Sequence, residues 1–195
     1  MKEFLGGGLT PYKKDGKEFS LGAIFGTVNL AELPKEYYLK TLEVKDQKDT
    51  DYCSAYASCT ISEIQENIIL EPAYSFFLSK QIAGNDTWGA SLKDMAEAAL
   101  EGFLPKSKAP FTTLEKTRLD ILKKDTWSEE NAKEAENHKK QAYFFVEKDS
   151  YPSFFDAVRA ALWKFKEEKR GIITGVVWNR EWTYLKEIRQ KGTSA

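Results

Sequence analysis

The sequence predicts an α+β domain in which a helical part comes first and a small sheet follows. Between residues 53 and 101, apolar residues recur at helical spacing in three successive segments. Beyond residue 141, two short runs are rich in β-branched and aromatic residues, a composition typical of strands. Because these runs are grouped late in the chain and do not alternate regularly with helices, the pattern favours α+β over α/β.

We expect one domain covering residues 1–195, since a chain of this length is within the size of a single domain and can bury a substantial core. Residues 1–33 are rich in Gly and show no sustained helical period, which predicts an irregular N-terminal arm. A mainly helical part is expected at residues 34–140, and the sheet is expected to begin within residues 141–195.

The first predicted helix is central to the domain. Its start follows a run of Lys, Asp and Thr at residues 45–51 that supplies turn and N-cap residues, and its end is expected near Pro72. One apolar stripe runs along it at helical spacing, formed by Cys53, Ala57, Ile61, Ile64 and Ile68.

Two more helices are predicted directly after it. The first covers residues 74–82 and is closed by Gly84 and the two residues that follow. The second has Ser91 as its N-cap and Gly102 as its C-cap. Residues 128–141 contain strong helix formers but few apolar residues, which predicts an exposed helix.

The last third of the chain mixes strand and helix signals. Residues 143–146 and 172–178 are each predicted to form a strand, and the second run has the apolar, β-branched composition of a buried strand. Between them a helix is predicted, on which Phe154, Val158, Ala161, Leu162 and Phe165 share one side.

Composition restricts the partners and the compartment. The net charge of −1 gives no basic surface for nucleic acid, and the chain has neither a signal-peptide apolar region nor an apolar run long enough to span a membrane. Cys53 and Cys59 lie six residues apart in one predicted helix, about 9 Å, beyond the roughly 7 Å that a disulfide tolerates. Two free thiols fit a reducing compartment, so we expect a cytoplasmic protein.

Cys53 is a candidate nucleophile. A thiol attacks as thiolate, and the first turn of a helix favours negative charge, which predicts a lowered pKa. Acyl transfer also needs donors for the developing oxyanion, and the side-chain amide of Gln47 lies just upstream.

This arrangement resembles the papain family of cysteine peptidases. Gln47, Cys53, Ala55 and Tyr56 match the family's pattern of Gln, five residues, Cys, aromatic, Ala and aromatic, although Ser54 stands where the first aromatic residue is usual. The segment containing Gly89 and Ala90 resembles the one whose backbone pairs with extended peptide substrates. Two further segments resemble the start of the mature enzyme and the first strand of the sheet lobe, at residues 33–34 and 171–177.

The resemblance implies a two-lobe fold, with a helical lobe built around the nucleophile helix and a partial antiparallel sheet lobe. It is closest to the compact prokaryotic or phage-like members. It implies hydrolysis of peptide bonds through a Cys53 thioester, with Gln47 in the oxyanion hole, Gly89 and Ala90 at the substrate, and no metal or cofactor. The family's catalytic His is expected at or just past Ala195, so a C-terminal fragment is expected to supply the His and an Asn.

Two further side chains and one alternative function complete the predictions. Cys59 is predicted to be a core residue, and His138 is predicted to be a surface residue of a charged segment. The alternative to a peptidase is a catalytically inactive module of the same fold that binds peptides or has a structural role.

Overall fold

The computed structural model describes residues 20–22, 26–147 and 151–175, and helices dominate this part of the chain. The α-helices are α1 at Cys53–Glu66, α2 at Pro72–Ala83, α3 at Leu92–Glu101, α4 at Arg118–Ile121, α5 at Glu129–Glu136 and α6 at Phe154–Lys164. Short 3₁₀-helices lie at Leu30–Glu32, Lys106–Lys108 and Lys124–Thr126. Most of the predicted N-terminal arm falls outside the described residues.

Helices α1, α2 and α3 pack against one another and form the centre of the structure. The buried side of α1 is made of small or polar residues, which let the neighbouring helices approach closely. Cys59 is fully buried as predicted, and its Sγ lies 3.4 Å from the Oγ of Ser75 on α2. The members of this side are Ser54, Ala55, Ser58, Cys59, Ser62 and Glu63.

The predicted apolar stripe of α1 is therefore not its most buried side. Ala57, Ile61 and Ile64 are only half-buried, and Ile68 lies beyond the helix and is exposed. The helix ends six residues before Pro72 because Asn67 adopts a left-handed conformation at φ 57° and donates its N–H to Glu63 O. A left-handed residue of this kind terminates a helix.

Three other helix ends carry the predicted capping residues, and α2 begins two residues earlier than predicted. Pro72 occupies the first turn of α2, and Gly84 ends that helix at φ 63°. Ser91 accepts a hydrogen bond from the N–H of Asp94 at the start of α3, and Gly102 ends it. The exposed helix predicted at residues 128–141 is found at α5, although it already ends at Glu136, and the predicted helix between the two strand signals is confirmed at α6.

An aromatic cluster attaches the segment after α3 to α2. Trp127 lies 5.1 Å from Tyr74 and 4.8 Å from Phe111, measured between ring centroids. Its indole N–H donates to the backbone carbonyl of Ile121, 2.9 Å away. The polar edge of a buried ring is thereby satisfied, and α4 is held close to α2.

The predicted sheet lobe is not seen in the described residues. Residues 143–146 make one isolated parallel bridge, between Ser20 and Phe145, and residues 172–175 have no regular structure. Residues 176–178 of the second predicted strand lie outside the described part. A strand is stabilised by its neighbours, so strand composition alone does not produce a ladder.

The later part of the chain nevertheless runs directly against the central helix. A Cβ placed on Gly171 would lie 2.8 Å from the Cγ1 of Ile61, so the backbone there is in close contact with α1. In the same part of the chain, Tyr37 packs edge-on against Trp163 of α6 with centroids 5.9 Å apart and donates its hydroxyl to Lys166 O. No helix among the described residues is both long and apolar enough to cross a bilayer.

Candidate active site

Cys53 is the first residue of α1 and is half-buried. The preceding residue, Tyr52, is the N-cap, and its side chain makes no capping hydrogen bond. Its ring is instead buried against Phe76 of α2, with centroids 4.3 Å apart. Aromatic packing therefore positions the start of α1, and no hydroxyl or carboxylate of the N-cap residue occupies the first-turn N–H groups.

The pKa of the Cys53 thiol is raised above its ordinary value, and burial is the largest cause. The N–H of Ser54 acts in the opposite direction, while the nearby carboxylate of Asp51 raises the pKa further. The predicted lowering of this pKa is therefore wrong for this structure. Loss of solvation at the half-buried sulfur outweighs the backbone N–H groups of Ser54 and Cys53, which act to lower the pKa.

The side chain of Gln47 is held within the turn that precedes α1. Its Nε2 donates to Thr50 O at 3.2 Å, and the Thr50 hydroxyl donates back to Gln47 O at 2.7 Å. A primary amide has two N–H donors, so one is not used by this hydrogen bond. The turn thus fixes the Gln47 amide six residues ahead of Cys53.

The structure brings the loop at Gly89 to the start of α1. Gly89 has a φ of 71° and donates its N–H to Asp51 Oδ2 at 2.7 Å, two residues before Cys53. Gly89 and Ala90 are both buried. The Gly89 N–H is therefore already hydrogen-bonded within the chain.

Sequence reasoning missed Asp51 and Arg118, which meet at this loop. The carboxylate of Asp51 is 2% exposed, and the Nε of Arg118 lies 3.1 Å from its Oδ2. The Nη2 of Arg118 donates to the backbone carbonyls of Asp86 and Thr87. Nothing in the sequence distinguishes Asp51 from the other acidic residues of the preceding turn, and its partner lies 67 residues later.

His138 does not serve Cys53 in this structure. It is half-buried, so the prediction of a surface residue is wrong, and its Nδ1 lies 2.6 Å from the Oε2 of Glu66. Glu66 is the last residue of α1, about 20 Å along the helix from Cys53. His138 is the one histidine in the sequence. It contributes to a separate groove of about 1020 Å³, whose lining includes Ser58, Ser62 and Glu66 but not Cys53.

In the described ranges, no group of three or more His, Cys, Asp or Glu side chains is arranged to hold a metal ion. The groups at and just before the start of α1 include the thiol of Cys53, the side-chain amide of Gln47 and backbone N–H groups.

Alkylation of the native protein by iodoacetamide should label Cys53 slowly at neutral pH. The rate should rise as the pH passes the ordinary thiol value of about 8.5, because a raised pKa leaves little thiolate below it. Cys59 should stay unlabelled, since full burial raises its pKa to about 12. Mass spectrometry of peptides from wild type and Cys53→Ser measures both sites. A rate at Cys53 that is already maximal at neutral pH would contradict the expected resting thiol.

Comparison with solved structures finds similarity to xylellain, a cysteine protease from Xylella fastidiosa, with a TM-score of 0.64 and 21% sequence identity. The match covers 80% of this chain and 62% of the xylellain chain, so this chain spans less than two thirds of its neighbour's length. No protein-family model matches the chain, and no curated protein sequence matches it. The structural likeness shows that the chain shares its fold with a cysteine protease, which supports the helical lobe of a papain-like fold.

Proposed function

We propose that this chain carries the nucleophile of a papain-like cysteine peptidase. The observation that carries the proposal is the position of Cys53, which opens the central helix of a fold shared with a cysteine protease. The turn containing Gln47 and the loop containing Gly89 lie next to the same helix start, where an oxyanion donor and a peptide-binding backbone are needed.

In this mechanism the Cys53 sulfur attacks the carbonyl carbon of the scissile peptide bond. The negative charge that develops on the carbonyl oxygen is stabilised by the backbone N–H of Cys53 and the side-chain amide of Gln47. The thiol proton passes to an imidazole and then to the leaving amine as the C–N bond breaks. Water then hydrolyses the thioester and regenerates the thiol.

In this mechanism the imidazole is supplied from outside the 195 residues. His138 is bound to Glu66 at the far end of α1, and no other histidine is present in the sequence. We therefore propose that a further segment supplies the His and the Asn that orients it. The raised pKa of Cys53 gives this base a clear role, because it would convert a resting thiol into a thiolate only when it is in place.

Labelling with a peptidyl epoxide tests the proposal. At about pH 9, where part of the thiol is ionised without an imidazole, wild type should be labelled once, at Cys53. The labelling rate of each epoxide is divided by that of iodoacetamide. This relative rate should be about tenfold higher for the peptidyl epoxide than for a simple epoxide without a peptide, because binding places the electrophile next to the sulfur. Cys53→Ser should take up no label. Equal relative rates for the peptidyl and the simple epoxide would contradict the proposal.

The second candidate function is a peptide-binding module without turnover. The specific observation that favours it is the combination of a raised Cys53 pKa with an imidazole held at the other end of α1. A module of this kind should bind an unreactive extended peptide equally well as wild type and as Cys53→Ala. It should not cleave a hydrolysable peptide of the same sequence when a His-bearing segment is added, whereas the peptidase should.

A further inference from the structure

We propose that the buried Asp51 and the partly exposed Arg118 form a clamp that holds the Gly89 loop, residues 85–90, in a fixed position beside Cys53. The inference rests on the proposed function, because it treats this loop as the peptide-binding backbone. Neither residue touches the reacting atoms, so both are positioning residues.

Two hydrogen-bonded connections make up the clamp. Asp51 accepts the Gly89 N–H at 2.7 Å and the Arg118 Nε at 3.1 Å on the same oxygen, Oδ2. Arg118 continues to the carbonyls of Asp86 and Thr87 through Nη2. The loop is thus bound both at its N–H side, by Asp51, and at its carbonyl side, by Arg118.

Because the Asp51 carboxylate is buried, the clamp depends on the opposite charges of Asp51 and Arg118. A carboxylate that is 2% exposed has lost nearly all of its water, so it needs both a cation and good hydrogen-bond donors. Arg118 suits the position because its planar guanidinium presents several N–H groups in a fixed geometry. The guanidinium carbon also lies 5.8 Å from the centre of the Phe76 ring, which keeps the side chain close to α2.

The clamp joins the loop directly to the nucleophile segment. Asp51 is two residues before Cys53, and Tyr52 between them is buried against Phe76. A peptide bound along the loop therefore meets the sulfur at a distance set by the clamp. Loosening the clamp should impair reaction with peptidyl electrophiles much more than the intrinsic reactivity of the thiol, since misplacement costs proximity and not nucleophilicity.

Two measurements on the full chain test the inference, with Arg118→Gln as the main variant. The first is hydrogen exchange of the Gly89 amide, which should become faster by about tenfold or more when the clamp is lost. The second is the ratio of Cys53 labelling rates with the peptidyl epoxide and with iodoacetamide, which should fall by about tenfold. The ratio cancels any change in the thiol pKa caused by removing a nearby cation.

Arg159→Gln is the matched control. Arg159 lies on α6, where its Nη1 is 3.7 Å from Asp156, so the variant removes an arginine without affecting the loop. Both readouts should match wild type. Arg118→Lys keeps the charge but lacks the planar fork, and it should fall between wild type and Arg118→Gln. If Arg118→Gln does not fold, Arg118→Lys provides both measurements.

The outcomes separate this inference from the proposed function. Unchanged Gly89 exchange in the folded Arg118 variants would overturn the clamp, and faster exchange with an unchanged rate ratio would overturn its positioning role. If wild type shows no preference for the peptidyl epoxide over the simple epoxide, the proposed function fails. The positioning role then fails with it, and exchange at Gly89 decides alone whether the clamp exists.

Discussion

Replacing Gly102 with alanine should destabilise the protein by about 3–5 kcal/mol. Gly102 ends α3 at φ 127° and ψ 171°, a region of backbone conformation that is essentially restricted to glycine. A Cβ there would lie 2.6 Å from the carbonyl carbon of Ala135 and closer still to its oxygen, so it would collide with the backbone of α5. Both the backbone conformation and the lack of space for a Cβ require glycine at this position. An alanine would fit only if α5 moved away from α3.

Gly84→Ala is the matched control for this prediction. Gly84 also ends a helix at positive φ, 63°, but a Cβ there meets nothing within 4 Å. Its replacement should cost only the left-handed conformation, roughly 1–2 kcal/mol. Urea unfolding followed by circular dichroism compares the two variants. Similar losses in both would show that contact with α5 is not what constrains Gly102.

Replacing Lys45 with methionine should destabilise the protein by about 3–5 kcal/mol. The Nζ of Lys45 lies 2.8 Å from Glu63 Oε1, and Glu63 is 1% exposed on the buried side of α1. That oxygen also accepts the Leu70 N–H at 2.7 Å, while Oε2 has no hydrogen-bond partner among the described residues. Without Lys45, a buried carboxylate would be left with no cation.

The pKa of Lys45 indicates the pH range in which the Lys45–Glu63 ion pair stabilises the protein. Burial works to lower the pKa, but hydrogen bonds with Glu43 and Glu63 outweigh it, and the net effect is to raise it above 10.5. A cation whose pKa is raised by folding stabilises the native state fully below its ordinary pKa, and this stability is lost as the pH rises through the folded pKa. The cost of Lys45→Met should therefore be complete at neutral pH.

Two further variants complete the test of the Lys45 pair by urea unfolding. Lys106→Met removes an exposed lysine whose Nζ is 3.7 Å from Glu43, and it should change stability by less than about 1 kcal/mol. Combining Lys45→Met with Glu63→Gln should recover much of the loss, because the amide keeps an acceptor for Leu70 and removes the unpaired charge. A double variant no more stable than Lys45→Met would argue against an electrostatic origin.

Both ends of α3, the end of α2 and the start of α5 were predictable because their signals are local. Ser91 and Ser128 cap the helices that follow them, and Gly84 and Gly102 end the helices that precede them, all within one turn of sequence. The buried side of α1 was not predictable in the same way, since its serines become core residues only through packing against α2 and α3. Strand composition at residues 143–146 also proved insufficient, because a ladder depends on distant partners.

In the candidate site, too, features set by neighbouring residues were predictable and features set by distant contacts were not. The position of Cys53 at the start of a helix follows from neighbouring residues and was predicted. The direction of its pKa shift depends on burial, which the sequence does not display, and the prediction had the wrong sign. The contacts of Asp51 with Gly89 and Arg118 join residues 38 and 67 positions apart, so no local pattern points to them.

The packing of α1, α2 and α3 has a consequence for the order of folding. These helices are consecutive within residues 53–101, and the Lys45–Glu63 and Asp51–Gly89 contacts join residues of almost the same span. Contacts between residues close in sequence form sooner than distant ones, and a chain emerges from the ribosome N-terminus first. The surroundings of Cys53 should thus assemble during synthesis before Arg118 arrives. Each new chain should pass through a stage in which Asp51 already binds the Gly89 N–H but the carbonyls of Asp86 and Thr87 still lack Arg118.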